Sequence, residues 1–391
     1  MKVLTCIIAF FASCLLSLGQ TTESLEDEIN KLLADYNAIG ASVVVVKDNK
    51  ICYYHVFGYN PDYSDPTLRK PIPDDGIFWL ASVSKTFISA AIMQLVENKM
   101  VKLDDDVNKY LRFMVKNPHY PNVPITIRML LCHRSSINDK HYGWTLEMMD
   151  SKTYKKYDEC FNHYRPGTKF DYCNLNYSLL GAIIENVTGM RFDQYIDKYI
   201  CEPLGLEASF NLTKIDSTRL VKSLSFDQKN KKYNPNRSIY NYQYVRDKLI
   251  DYQLGISTAC LSPAGGLKIT AMDLAKWMMV HMNYGSLDDK QIISKESELL
   301  MWEPQGQDRK YGLAFSQYPK IVRGVNLRGM TGGAHGINSI MFFNPVKKYG
   351  FVVITNGYAP LSKKGYLPSL ARELVRPLYN YFIKEKSLVS R

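Results

Sequence analysis

Neither a Cys-x-x-Cys pair nor a His-Glu-x-x-His segment occurs in the 391 residues. No ligand set with metal spacing is therefore present, and no metal or other cofactor is expected. Gly-x-Ser-x-Gly is missing as well, which excludes the nucleophile elbow of the α/β-hydrolases. No nucleic-acid module can be found, so nucleic acid is not an expected partner. Cysteine is sparse, with eight residues, two of which (Cys6 and Cys14) lie in an apolar N-terminal run. The other six, Cys52, Cys132, Cys160, Cys173, Cys201 and Cys260, have no spacing that selects a disulfide pattern, and buried thiols are an equal reading.

What is present is ordinary globular composition, 46% hydrophobic and 22% charged, in a chain long enough for one large or two medium domains. Lys2 precedes an apolar run from Val3 to Leu18, and Ser17-Leu18-Gly19 offers small residues for cleavage before Gln20. Residues 1–19 thus read as a signal peptide, with a secreted, periplasmic or other extracytoplasmic product. The run is marginal as a membrane span and lacks a basic stop-transfer flank. Phe11-Ala12-Ser13-Cys14 is an imperfect lipoprotein box followed by more apolar residues, which makes lipidation the weaker reading. The net charge of +11 includes clusters at Lys152–Lys156 and Lys229–Lys232. These read first as solvated loops and second as a means of association with an anionic cell-surface polymer.

The periodicities place a helix over Ser24–Tyr36, then strands Ala41–Lys47 and Ile51–Tyr59 joined by a hairpin at Asp48-Asn49-Lys50. From Lys102 to Leu254 the chain has proline-bracketed loops, short helical pieces and few strands. Strand character returns at Tyr311–Gln317, Ile337–Asn344 and Gly350–Asn356, and a helix closes the chain over Leu367–Ile383. This order predicts an α/β fold of the α+β type, an antiparallel sheet flanked by helices with an inserted, mostly helical lobe. Residues 20–105 and 255–391 form the sheet domain in this reading, and 106–254 the insert. A cleft between lobes is the natural site.

Chemistry enters at Ser82-Val83-Ser84-Lys85, where a short apolar strand (77–81) meets a helix. Ser and Lys three apart on one helical face can make a nucleophile with its own base. A chain this long produces about one Ser-x-x-Lys by chance, so further agreement is needed. Tyr172-Cys173-Asn174 supplies it at the start of a helix over Leu175–Thr188, with a phenol of lowered pKa to relay protons and an amide that both donates and accepts. Tyr120-Pro121-Asn122 starts no helix and is set aside. Gly329-Met330-Thr331-Gly332-Gly333, ahead of the strand at Ile337, lets backbone approach a ligand closely.

Together these motifs, with Ile125–Ile137, resemble the serine β-lactamase and penicillin-binding-protein superfamily, in its class C-like, β-lactamase-related branch of D-aminopeptidases, D,D-peptidases and esterases. The resemblance runs from about Ala41 to Asn356 and implies a β-lactamase/transpeptidase-like fold. It implies Ser82 as the acylated nucleophile, Lys85 as its base and Tyr172 as the second general acid/base. Asn174 and Thr331 would hold the substrate, and the N–H groups of Ser82 and Gly333 would form the oxyanion hole. The implied activity is that of a serine hydrolase on an ester, amide or D-amino-acid-containing peptide. Alternatives are a true β-lactamase, a D,D-carboxypeptidase or a catalytically weak binding descendant. The partner is then a small-molecule or peptide substrate. Met330 departs from the pattern, which has Lys or His there to bind a carboxylate. His335 is the first candidate to replace that cation, with Arg328 and Arg323 behind it. Cys173, where the pattern has a small serine, is expected only to pack.

Overall fold

The computed structural model describes residues 25–384 apart from 66, 228, 309 and 358–369. The signal-peptide expectation therefore lies outside the described residues. Helix α1 spans 25–35, followed by strands β1 (Gly40–Lys47), β2 (Lys50–Pro61), β3 (Arg69–Pro71) and β4 (Ile77–Trp79). Helices α2 (Lys85–Glu97), α3 (Ile127–Leu131) and α4 (Leu175–Thr188) come next. Short strands β5 (Ala208–Ser209), β6 (Leu220–Val221) and β7 (Lys268–Thr270) precede helix α5 (Ala271–Met282). The chain then adds β8 (Ser316–Tyr318), β9 (Leu327–Ala334), β10 (Ile337–Asn344) and β11 (Tyr349–Thr355).

Seven strands form one antiparallel sheet in the order β8-β9-β10-β11-β1-β2-β3, so the first strands pair with the last. The register Val43↔Val353 and Val44↔Val352 joins two strands that are buried on both faces. This is why β1 reads as an unbroken run of valines rather than an alternation. Val43, Val45, Phe351 and Val353 pack with α1 residues Leu25 and Ile29 and with C-terminal Leu370 and Leu374. Val44, Val46, Val352 and Ile354 face the larger core built with α2, α4 and α5. A second, four-stranded sheet in the order β5-β7-β4-β6 sits beside the site and ties the middle of the chain to its flanks.

Three expectations are corrected. Tyr311–Gln317 is not a strand throughout: Gly312 N–H donates to Phe315 O at 2.7 Å and Ala314 takes φ +74, so a tight turn precedes β8. The start of the closing helix, 367–369, lies outside the described residues, and the rest breaks into Leu370–Glu373, Val375–Leu378 and a wide turn at Tyr379–Ile383, with Pro377 removing a backbone donor. Ser82 lies not in the first α-helical turn but in a 3-10 turn, Ala81–Ser84, that leads into α2. The six described cysteines are free, and all but Cys52 are buried.

Candidate active site

Strand β4 is followed by Leu80, whose N–H donates to Leu267 O at 2.8 Å. Ala81 then adopts φ +52, a left-handed conformation that costs a residue with a Cβ about 1–2 kcal/mol. That reversal swings the chain so that half-buried Ser82 opens the 3-10 turn and Lys85 starts α2 one turn later.

Lys85 is fully buried, 0% exposed. Its Nζ lies 3.3 Å from Ser82 Oγ, 2.8 Å from Asn174 Oδ1 and 2.6 Å from the carbonyl of Ala264. Desolvation lowers its pKa to about 7, against an opposing pull from Asp139 and a smaller one from Cys173. A neutral amine has two hydrogens and one lone pair. The two carbonyl oxygens take the hydrogens, and the lone pair is left for the Ser82 hydroxyl proton.

Tyr172 donates its hydroxyl to Ser82 Oγ at 2.8 Å. Although 39% of the residue is open to the cleft, desolvation raises its pKa, with hydrogen bonding to Ser82 opposing. This corrects the expected lowered phenol: Tyr172 stays protonated at neutral pH, fitted to give a proton rather than to take one. Asn174 is at the N-terminus of α4 with helical backbone geometry, and it and Tyr172 reach the same serine–lysine pair.

Asp139 was not singled out by the sequence reading. Its Oδ2 accepts from the backbone and side-chain nitrogens of Asn174, both at 2.8 Å, and its Oδ1 accepts from Leu175 N at 2.9 Å and Cys173 Sγ at 3.2 Å. A carboxylate from a remote loop thus caps α4 and aims the asparagine at Lys85. Cys173 does more than pack, since it contributes one of these bonds. His133 is also buried; its Nδ1 accepts from Cys173 N at 3.2 Å, and its ring centre is 4.3 Å from that of Tyr172. Burial holds its pKa well below the usual histidine range. The signals were an Asp two residues past the Ile125–Ile137 block and a His within it, but nothing local pairs either with Tyr172-Cys173-Asn174.

On the opposite wall, a Cβ on Gly332 would meet Leu80 O at 2.6 Å and Ser82 N at 3.0 Å, so β9 runs against the serine turn. Gly333 is exposed, and a Cβ there would touch only Asn338 Nδ2, at 3.9 Å. Ser82, Tyr172, Asn174, Gly333 and His335 line one cavity of about 310 Å³. Thr331 is half-buried on β9 and does not line it. Met330, 3% exposed, packs inside with Tyr311 Oη 3.9 Å from its sulfur.

The expected substitutes for a cation fail on position or charge. His335 lines the cavity 5.1 Å from the Trp79 ring, but burial lowers its pKa and favours the neutral imidazole. Arg328 sits over Trp302 at 5.2 Å, and neither it nor Arg323 lines the cavity.

The chain matches the beta-lactamase family over residues 25–376. It is 26% identical over 361 residues to Protein flp of Staphylococcus aureus (strain MRSA252), covering 88% of this chain and 63% of that protein. The chain thus spans less than two thirds of that relative's length. Among solved structures it resembles the octameric penicillin-binding protein homologue from Pyrococcus abyssi, with a TM-score of 0.70, 26% identity, and coverage of 92% of this chain and 77% of that one. It shares its fold with EstCE1, described as a hydrolase with promiscuous acyltransferase activity, at a TM-score of 0.65, 21% identity, and coverage of 90% and 98% respectively. A match over nearly all of the described chain, on a sheet that brings Ser82, Lys85 and Tyr172 together, makes this protein a member of the beta-lactamase family, within the serine β-lactamase and penicillin-binding-protein superfamily.

Proposed function

We propose that the chain is a serine hydrolase that forms an acyl-enzyme on Ser82 and acts on an ester, an amide or a D-amino-acid-containing peptide. One observation carries this: Ser82 Oγ lies between a buried amine with a pKa of about 7 and a protonated phenol. In acylation, Lys85 takes the Ser82 proton as Oγ bonds to the substrate carbonyl carbon. The developing oxyanion is received by the N–H groups of Ser82 and Gly333, each worth about 2.7–4 kcal/mol. Tyr172 gives its proton to the leaving group as the carbonyl–heteroatom bond breaks. The Lys85 ammonium, 4.9 Å from the Tyr172 ring centre, stabilises the transient phenolate and returns a proton to it. Neutral Lys85 then activates the water that hydrolyses the ester.

Met330 weighs against a true β-lactamase or D,D-carboxypeptidase. It cannot provide the charge-assisted hydrogen bond, about 1.5–3 kcal/mol, that would hold a carboxylate at that position. The test is a panel of a p-nitrophenyl ester, nitrocefin and a D-amino-acid p-nitroanilide, with wild type beside Ser82→Ala. Ester or anilide turnover that Ser82→Ala abolishes is expected, with nitrocefin slow. Turnover that survives Ser82→Ala would refute the acyl-enzyme, and no turnover together with no covalent labelling would mark a binding descendant.

A further inference from the structure

The cavity wall is unusually simple in charge. Among the described residues that line it there is no Asp or Glu, and Lys268 is the only Lys or Arg. Lys268 lies on β7 directly across from Trp79 on β4, so their side chains share a face of the small sheet. Trp79 on that face meets His335 of the cavity rim. Lys268 is 6% exposed, and its Nζ donates to the carbonyl of Phe210, another lining residue, at 2.8 Å. An ammonium has three donors, and among the described residues only this one acceptor lies within hydrogen-bond reach of it. The mechanism above makes no use of it. A buried amine without a carboxylate partner is costly, and one placed on a substrate cavity is compensated when an anion arrives.

We propose that Lys268 is the anchor for a carboxylate on the substrate, so that the preferred substrates are esters or amides that carry a free carboxylate away from the scissile bond. The proposal rests on the hydrolase reading and adds its substrate class. Trp79, Phe210 and Trp144 give the same cavity an aromatic lining, so an acyl group with an apolar body and an anionic end fits it. The anchor lies apart from Met330, which does not line the cavity.

Burial lowers the Lys268 pKa to about 7, with Asp193 opposing. Asp193 is itself held by Arg191 through bonds of 2.9 and 2.8 Å. The other titrating groups of the wall stay neutral near pH 7: burial keeps His335 deprotonated, and keeps the Cys260 thiol and the Tyr142, Tyr172 and Tyr244 phenols protonated. Lys268 is thus charged below about pH 7 and loses its hold on an anion as pH rises above it. Lys85 titrates in the same range, so the informative quantity is a ratio between two substrates that share the chemical step.

The experiment compares kcat/KM for the p-nitrophenyl monoester of terephthalic acid with that for its methyl ester, from pH 6 to 9. Wild type should favour the free acid at least tenfold at pH 6, with the preference falling as pH rises. Lys268→Met should lower that ratio at least tenfold and flatten it against pH, and Lys268→Arg should restore part of it. Wild type with no preference at pH 6, or a Lys268→Met that slows both esters alike, would overturn the proposal and leave Lys268 as a prop for Phe210. Binding of terephthalate to Ser82→Ala, with and without Lys268→Met, reads the anchor without chemistry. Weaker binding in the double variant supports the anchor even if no ester is turned over; equal binding overturns it even if the hydrolase reading stands.

Discussion

At Ser82 the informative contrast is between two groups driven in opposite directions by the same burial. Desolvation removes charge from Lys85 and keeps the proton on Tyr172, so one becomes a base and the other an acid without a charged partner for either. Asp139 is the exception, because its charge opposes the drop at Lys85 while its oxygens fix Asn174. Asp139→Asn keeps the shape but cannot accept all of those bonds, and kcat/KM should fall about ten- to a hundredfold. With the charge gone, the Lys85 pKa should drop further, which moves the acid limb of the pH–rate profile to lower pH. A rate loss with an unmoved limb would assign Asp139 a purely architectural role.

At the scale of elements, the sequence disclosed what local periodicity and special residues determine. The valine run of β1, the helix at Leu175–Thr188 and the strand Ile337–Asn344 lie where the pattern placed them. Ser82, Lys85, Tyr172 and Asn174 were legible because each is tied to an element boundary. Asp139 and His133 were not, because their partners are more than thirty residues away in the chain and no local rule links them. The turn at Ala314 was hidden because a non-glycine residue takes the left-handed conformation there. Two adjacent glycines of β9 carry a test of how tightly that strand presses on the serine turn. Gly332→Ala puts a methyl against the backbone of Leu80 and Ser82 and should lower both Tm and kcat, by about a hundredfold for the latter. Gly333→Ala meets only Asn338 Nδ2 at 3.9 Å and should leave Tm unchanged. Equal Tm values for both variants would mean that β9 is free to retreat.

For the molecule as a whole, a sheet that pairs early strands with late ones closes the chain around a site that holds two buried lysines. Both Lys85 and Lys268 have folded-state pKa values near 7, below those of an unfolded chain. Between pH 7 and about 10 the unfolded state binds more protons at these positions, so stability rises with pH there, by about 1.4 kcal/mol per unit for each lysine. Denaturant unfolding at pH 7, 8 and 9 should show that rise in wild type and a shallower one in Lys85→Met. Parallel slopes would mean that Lys85 keeps its proton in the folded protein.

The state of that amine is tested most directly by the pH dependence of Ser82 acylation with a neutral fluorophosphonate, followed by the mass of the Ser82 peptide. The expected result is a single adduct on Ser82, forming about tenfold faster per pH unit up to about 7 and at a constant rate above it. No adduct at Ser82, or a rate still climbing toward the ordinary lysine value of 10.5, would contradict a neutral Lys85 acting as the base.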